Sequence, residues 1–211
     1  MQLTKFRHSC VRFDEGDRSF VVDPGAFSDL DAALDGVEAI LITHEHFDHI
    51  DTDRVSKALR DDSRLRLFGP QGVVDSLAEF GEQVEAVGPD QSFEAAGLPI
   101  KTFGHQHAVI HPLVPFIANV GYLVADKVFH PGDSFTVPPT PVETVLLPSM
   151  APWAKLSEIV DYAVAVRAPR AFPIHDALVN DLYDGILGNV LKPLVARYGV
   201  DFGAFDEPVD A

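Results

Sequence analysis

The chain has 211 residues, 46% of them hydrophobic, which suits one packed domain over residues 1–211 and excludes a disordered chain. Lys and Arg total 16 against 32 Asp and Glu, a formal charge of −16 that argues against a nucleic-acid or anionic-membrane partner, since those affinities come from clustered cations. A single cysteine, Cys10, rules out an intrachain disulfide; with no apolar signal core in Met1 to Arg7 and no apolar run near the roughly 20 residues of a membrane span, a cytoplasmic setting is expected.

Leu3 to Arg7, Cys10 to Phe13 and Arg18 to Val22 are short apolar or alternating runs that predict strands, with a turn at Glu15-Gly16-Asp17 and a stop at Asp23-Pro24-Gly25. The run Val37 to Ile42, apolar apart from Glu38, predicts a buried strand that ends directly on a histidine cluster. Asp51 is suited to cap a helix reaching Arg60. Leu65 to Phe68 predicts a strand, Gln71 to Phe80 a helix, and Val84 to Val87 and Leu98 to Phe103 further strands. Asn119 to Ala125 and Val128 to His130 read as a hairpin about Asp126-Lys127. Val142 to Leu147 predicts a strand, Leu156 to Arg167 a helix, and Ala171 to Ile174 a strand ending at His175. Ile186 to Tyr198 predicts the last helix, with Gly188 and Pro193 suited to kink or divide it. Both halves mix strands with helices, which predicts a sheet-on-sheet core with helices outside.

His44-Glu45-His46-Phe47-Asp48-His49 packs four metal-capable side chains into six residues just after a buried strand. A short loop can aim the alternating His44 and His46 at one point and, after a turn, Asp48 and His49 at another. Imidazole with carboxylate suits zinc, and also manganese, nickel or iron. Three later strands also run into metal-capable residues: Gly104-His105-Gln106-His107, His130-Pro131-Gly132-Asp133 and Pro173-Ile174-His175-Asp176. No Gly-x-Ser-x-Gly elbow, phosphate-binding P-loop or dinucleotide fingerprint is present.

This set resembles the metallo-β-lactamase superfamily, whose hallmark is His-x-His-x-Asp-His followed by a distant His, an Asp and a final His. The resemblance runs from Asp23 to His175 and is nearest to a small-hydrolase branch that includes ascorbate-phosphate lactonase-like proteins. It implies an αβ/βα sandwich, a four-layer α/β fold. It implies that His44, His46 and His107 hold a first metal, that Asp48, His49 and His175 hold a second, and that Asp133 bridges them. His105 and His111 compete with His107 for the third histidine; the one left over, His105 first, is a candidate proton shuttle or substrate contact. Asp23 resembles a residue that orients a ligand from behind the site, and His8-Ser9 a turn near it. Trp153 is placed either over the pocket or under the following helix.

The implied activity is a metal-dependent hydrolase in which two divalent ions, zinc first, share a hydroxide that attacks an ester, lactone or phosphodiester bond of a small molecule, with Asp48 handling the proton. An iron-dependent oxidoreductase of the same fold, persulfide dioxygenase-like, and a non-catalytic metal-binding module are the alternatives. The assembly is left open, a homo-oligomer included.

Overall fold

The computed structural model describes residues 1–211. Strands β1 (Gln2–Lys5), β2 (Val11–Glu15) and β3 (Arg18–Val22) form an antiparallel meander. β4 (Ala39–Leu41), β5 (Arg66–Gly69) and β6 (Val84–Ala86) continue it in parallel. The second half repeats that plan. β7 (Ser92–Ala95), β8 (Leu98–Phe103), β9 (Gly121–Val124) and β10 (Val128–His130) run antiparallel; β11 (Thr144–Pro148), β12 (Arg170–Ile174) and β13 (Asp201–Phe202) follow in parallel. β14 (Val209–Asp210) crosses back to pair with β1, giving two seven-stranded sheets.

The helices α1 (Leu30–Ala33), α2 (Thr52–Asp61) and α3 (Gln71–Ser76) belong to the first half, and α4 (Leu156–Val166), α5 (Asp181–Ile186) and α6 (Lys192–Ala196) to the second. Asp51 accepts from the Arg54 amide and caps α2 as the sequence predicts. No helix is long and apolar enough to cross a membrane.

Three apolar cores separate the layers. Leu41, Phe20 and Val22 of the first sheet meet Tyr122, Leu146 and Ile174 of the second in a central core. Ile40, Ile42 and Val21 face the other way, onto Val55 and Leu59 of α2 and Val73 of α3. Val145, Leu147 and Ala171 likewise face Ile159 and Tyr162 of α4 and Val195 of α6. A strand buried on both faces needs apolar residues at successive positions, which is why Ala39 to Ile42 and Val145 to Leu147 show no alternation. The result is the four-layer αβ/βα sandwich that the sequence implies.

The last helix is divided. α5 starts at the Asn180 cap, residues Leu187–Leu191 follow in π-helical geometry, and α6 begins with Pro193 in its first turn. Proline lacks the amide hydrogen for the i−4 bond, and the wider turn absorbs that loss. The predicted helix Gln71 to Phe80 stops at Ser76, and a 3₁₀ segment with a kink at Gly81 continues to Gln83.

Strand direction decides where loops gather. β1, β3, β4 and β5 point the same way in the first sheet, and β8, β10, β11 and β12 share one direction in the second. Ligands in layered α/β folds lie beyond the carboxyl ends of such strands. Here those ends deliver His8, Asp23, His44, His107, Asp133, Met150 and His175.

Candidate metal centre

The ligand atoms of His44, His46 and His107 form one cluster, those of His44, His49 and Asp133 a second, and those of His8, Asp48, His49 and His175 a third, each within 4.8 Å. All seven residues named as ligands from the sequence therefore converge, and His8 joins them. His105 and His111 are exposed and lie outside these clusters.

The imidazoles are oriented from behind. His49 Nδ1 is 2.7 Å from Asp23 Oδ2, His107 Nδ1 is 2.6 Å from the Ala108 carbonyl, and His175 Nδ1 is 2.7 Å from the Met150 carbonyl. An oxygen acceptor on Nδ1 holds the proton there and turns Nε2 inward, as the nitrogen that offers a lone pair once the ring is neutral. Thr43 Oγ1 gives its only proton to Asp23 Oδ2, so it accepts from His44 Nδ1 at 3.0 Å and frees His44 Nε2 in the same way.

His49 Nε2, His107 Nε2 and Asp133 Oδ1 are buried and make no hydrogen bond. His49 Nε2 and Asp133 Oδ1 are 3.1 Å apart, yet their angles do not suit a hydrogen bond. Buried polar atoms left unbonded within clusters of potential ligands fit an electrophile among them, because leaving such groups unpaired is costly. Asp133 Oδ2 lies 3.3 Å from His107 Nε2 and 3.0 Å from His175 Nε2, between the two predicted ligand sets.

The charges match. Asp133 is held well below the usual carboxylate range: burial opposes ionisation, but the facing His49, His107 and His175 outweigh it. Asp48 drops to about 2 against the same burial, through the His8 hydrogen bond and the nearby His49. Burial and the neighbouring His49 push His44 well down. Burial also disfavours a charged His49, but Asp133 and Asp23 raise it well above the normal imidazole value. His175 is raised by Asp133 against burial.

Backbone fit explains two glycines. A Cβ on Gly25 would lie 1.8 Å from the Asp48 carbonyl oxygen, so the Asp23-Pro24-Gly25 turn packs directly on the ligand loop. Gly132 takes a φ of +62°, and a Cβ there would meet Asn119 Oδ1 at 2.4 Å and Thr43 Cβ at 2.6 Å. Asn119 braces the same turn, accepting from the Asp133 amide and donating to the Pro131 carbonyl. Arg7, His8, Asp23 and His175 are non-glycine residues with φ of 72°, 55°, 53° and 59°. That left-handed backbone costs on the order of 1–3 kcal/mol per residue, and it accumulates at functional sites.

Some participants lie beyond what the sequence reading assigned. Trp153 Nε1 donates to Asp133 Oδ2 at 3.0 Å, and the ring packs on Phe135. His8 is buried; its Nδ1 accepts from the Ala177 amide, so Nε2 carries the proton and donates to Asp48 Oδ2 at 3.1 Å. His130 is spent structurally, accepting from the Gly132 amide at Nδ1 and donating from Nε2 to the Ser9 carbonyl. A cavity of about 510 Å³ at Gly36–Ala39 and Glu94–Gly97 lies by the opposite strand ends, away from every one of these side chains.

Residues 2–175 match the family described as the β-lactamase superfamily domain. Protein Rv0786c of Mycobacterium tuberculosis is 43% identical over 185 residues, 85% of each chain. A UPF0173 metal-dependent hydrolase of Methanocaldococcus jannaschii is 25% identical over 63% of this chain and 60% of its own. The solved structure of Igni18, a metallo hydrolase of Ignicoccus hospitalis, superposes with a TM-score of 0.73 at 20% identity, over 99% of this chain and 97% of that one. Histidines and carboxylates gathered at one rim of an αβ/βα sandwich, together with the family match over most of its length, make this chain a member of the metallo-β-lactamase superfamily.

Proposed function

We propose that this protein is a hydrolase that binds two divalent ions, zinc first, and cleaves an ester, lactone or phosphodiester bond in a small substrate. His44, His46 and His107 would hold one ion and Asp48, His49 and His175 the other, with Asp133 facing both. The observation that carries this reading is the trio of buried, unbonded ligand atoms, His49 Nε2, His107 Nε2 and Asp133 Oδ1. Hydrolase names among the relatives and structural neighbours support it.

When bound, such ions supply Lewis acidity and a nucleophilic water near neutral pH. The chain's own contribution is orientation and proton handling. Asp23 and the Ala108 and Met150 carbonyls fix three imidazoles with Nε2 turned inward. The His8 Nε2–H fixes the Asp48 carboxylate, the assigned acceptor for the proton of the attacking water. The Trp153 indole does the same for Asp133. His105 is exposed, so its assigned role is contact with substrate or relay of protons to solvent at the outer edge.

Elemental analysis of freshly purified protein tests the reading. About two equivalents of zinc, manganese or nickel, reduced in both His46→Ala and Asp133→Ala, is the expected result. One equivalent of iron, insensitive to Asp133→Ala, overturns it in favour of oxygen or sulfur chemistry.

A further inference from the structure

We propose that a cleft of about 400 Å³, walled by Ala108, Val109, Phe135 and Trp153 with the neutral polar side chains of Gln106, Ser134 and Thr136 beside them, receives an uncharged group, so that the substrates are neutral carboxylic esters or lactones carrying an alkyl or aryl chain. This rests on the hydrolase reading above and narrows its choice of bond.

The cleft adjoins the predicted centre. Ala108 follows the ligand His107, and Trp153 forms a wall while donating to Asp133. Its size falls within the usual range for small-molecule sites, roughly 300–1,000 Å³. No Lys or Arg lines it; its one charged residue is Glu158. The Glu158 carboxylate already accepts from the Lys155 amide and pairs with the Lys155 ammonium at the start of α4, so it calls for no cationic ligand. A phosphodiester seated there would bring its charge beside a carboxylate with no cation in the wall, in a chain of net charge −16.

The rim agrees. Phe47 sits between the ligands His46 and Asp48 and is 64% exposed; Leu113 and Phe116, on the loop that follows His107, are 86% and 62% exposed. Large apolar side chains exposed around a polar centre mark a binding surface. In the reaction, the oxygen of water bonds to the acyl carbon and the carbon–alkoxy bond breaks. One water proton ends on the released alcohol, leaving a carboxylic acid.

The test uses metal-loaded protein with p-nitrophenyl acetate, butyrate and octanoate, and bis(p-nitrophenyl) phosphate. The expected kcat/KM rises about two- to fourfold per buried methylene. Val109→Lys flattens that slope and raises the phosphodiester rate relative to octanoate. Turnover of acetate with no dependence on chain length overturns the cleft assignment while leaving the hydrolase intact. A wild-type protein that turns over the phosphodiester and none of the esters overturns it too. If nothing is turned over, the hydrolase reading fails, and binding decides the cleft. Trp153 is the only tryptophan, so octanamide added to metal-free protein should shift its emission saturably, and more weakly in Val109→Lys. No saturable shift overturns the assignment.

Discussion

Gly25→Ala asks how much the ligand loop depends on a turn that donates no ligand. The added Cβ would lie 1.8 Å from the Asp48 carbonyl oxygen, 2.1 Å from its carbon and 2.5 Å from the His49 amide nitrogen. All three are backbone atoms, so no side chain can swing aside. Ordinary contact begins near 3.4 Å, and either the turn or the loop must retreat by about 1.5 Å. The two are stitched together, since the Ala26 amide donates to the Phe47 carbonyl and the Asp51 amide to the Pro24 carbonyl. The retreat is therefore passed to Asp48 and His49. A misplacement of about 1 Å at a catalytic centre costs on the order of 10²-fold. The expected variant keeps its far-UV circular dichroism, loses the ion assigned to Asp48, His49 and His175, and falls in kcat/KM by at least about 100-fold. Gly185→Ala is the control, because nothing lies within 4 Å of a Cβ there and the helix α5 gains up to about 1 kcal/mol. A Gly25→Ala protein with two bound equivalents and near-normal kcat/KM refutes the reasoning.

Trp153→Phe keeps an aromatic wall but removes the donor to Asp133; metal affinity should fall by about tenfold or more in competition with a chelator while the ester chain-length slope persists, and unchanged affinity contradicts this. In the metal-free chain Asp133 and Asp23 make His49 hold its proton more tightly than free imidazole, and Asp133 does so for His175, so metal addition at pH 7 should release protons into weakly buffered indicator solution. The sign follows from their raised values: stability from these two groups is full below the free-imidazole value near 6.5, is lost as pH rises through the folded values, and in metal-free protein favours acid over alkali. Absence of proton release would show that the inward nitrogens are already unprotonated. Cys10 is fully buried and its thiol pushed up by burial, so a thiol reagent should label native protein negligibly and the one cysteine fully after denaturation.

Much of the fold was readable because β4, β10 and β12 are short apolar stretches that lead into polar, metal-capable residues, and β8 alternates buried with partly exposed positions before His105 and His107. What stayed hidden has physical causes. Ser92-Phe93-Glu94-Ala95 is too short and charged to stand out, and its pairing with β8 makes it a strand. The two-residue strands β13 and β14 exist only through their partners. The candidate ligand set stands out as a spacing pattern, but which of His105, His107 and His111 joins the cluster does not. The Asp133 carbonyl receiving the Ala108 amide and the Ala108 carbonyl holding His107 Nδ1 turn that ring inward. Neither contact leaves a trace in local sequence. Trp153 was ambiguous for the same reason: its partner Asp133 is reached only by folding the loop before α4 over the rim.

The predicted ligands come from both sheets. His44, His46, Asp48 and His49 follow β4, whereas His107, Asp133 and His175 follow β8, β10 and β12. A bound pair of ions would thus act as a cross-link across the top of the sandwich, closing a loop of about 130 residues and reinforcing the hydrogen bonds that already cross there, from the Val120 amide to the Thr43 carbonyl and from the His175 amide to the His8 carbonyl. Metal loss would then loosen this rim while the central core between the sheets holds. Cells short of the metal would then hold a chain whose rim opens to proteases first, and its abundance would follow metal supply as well as gene expression.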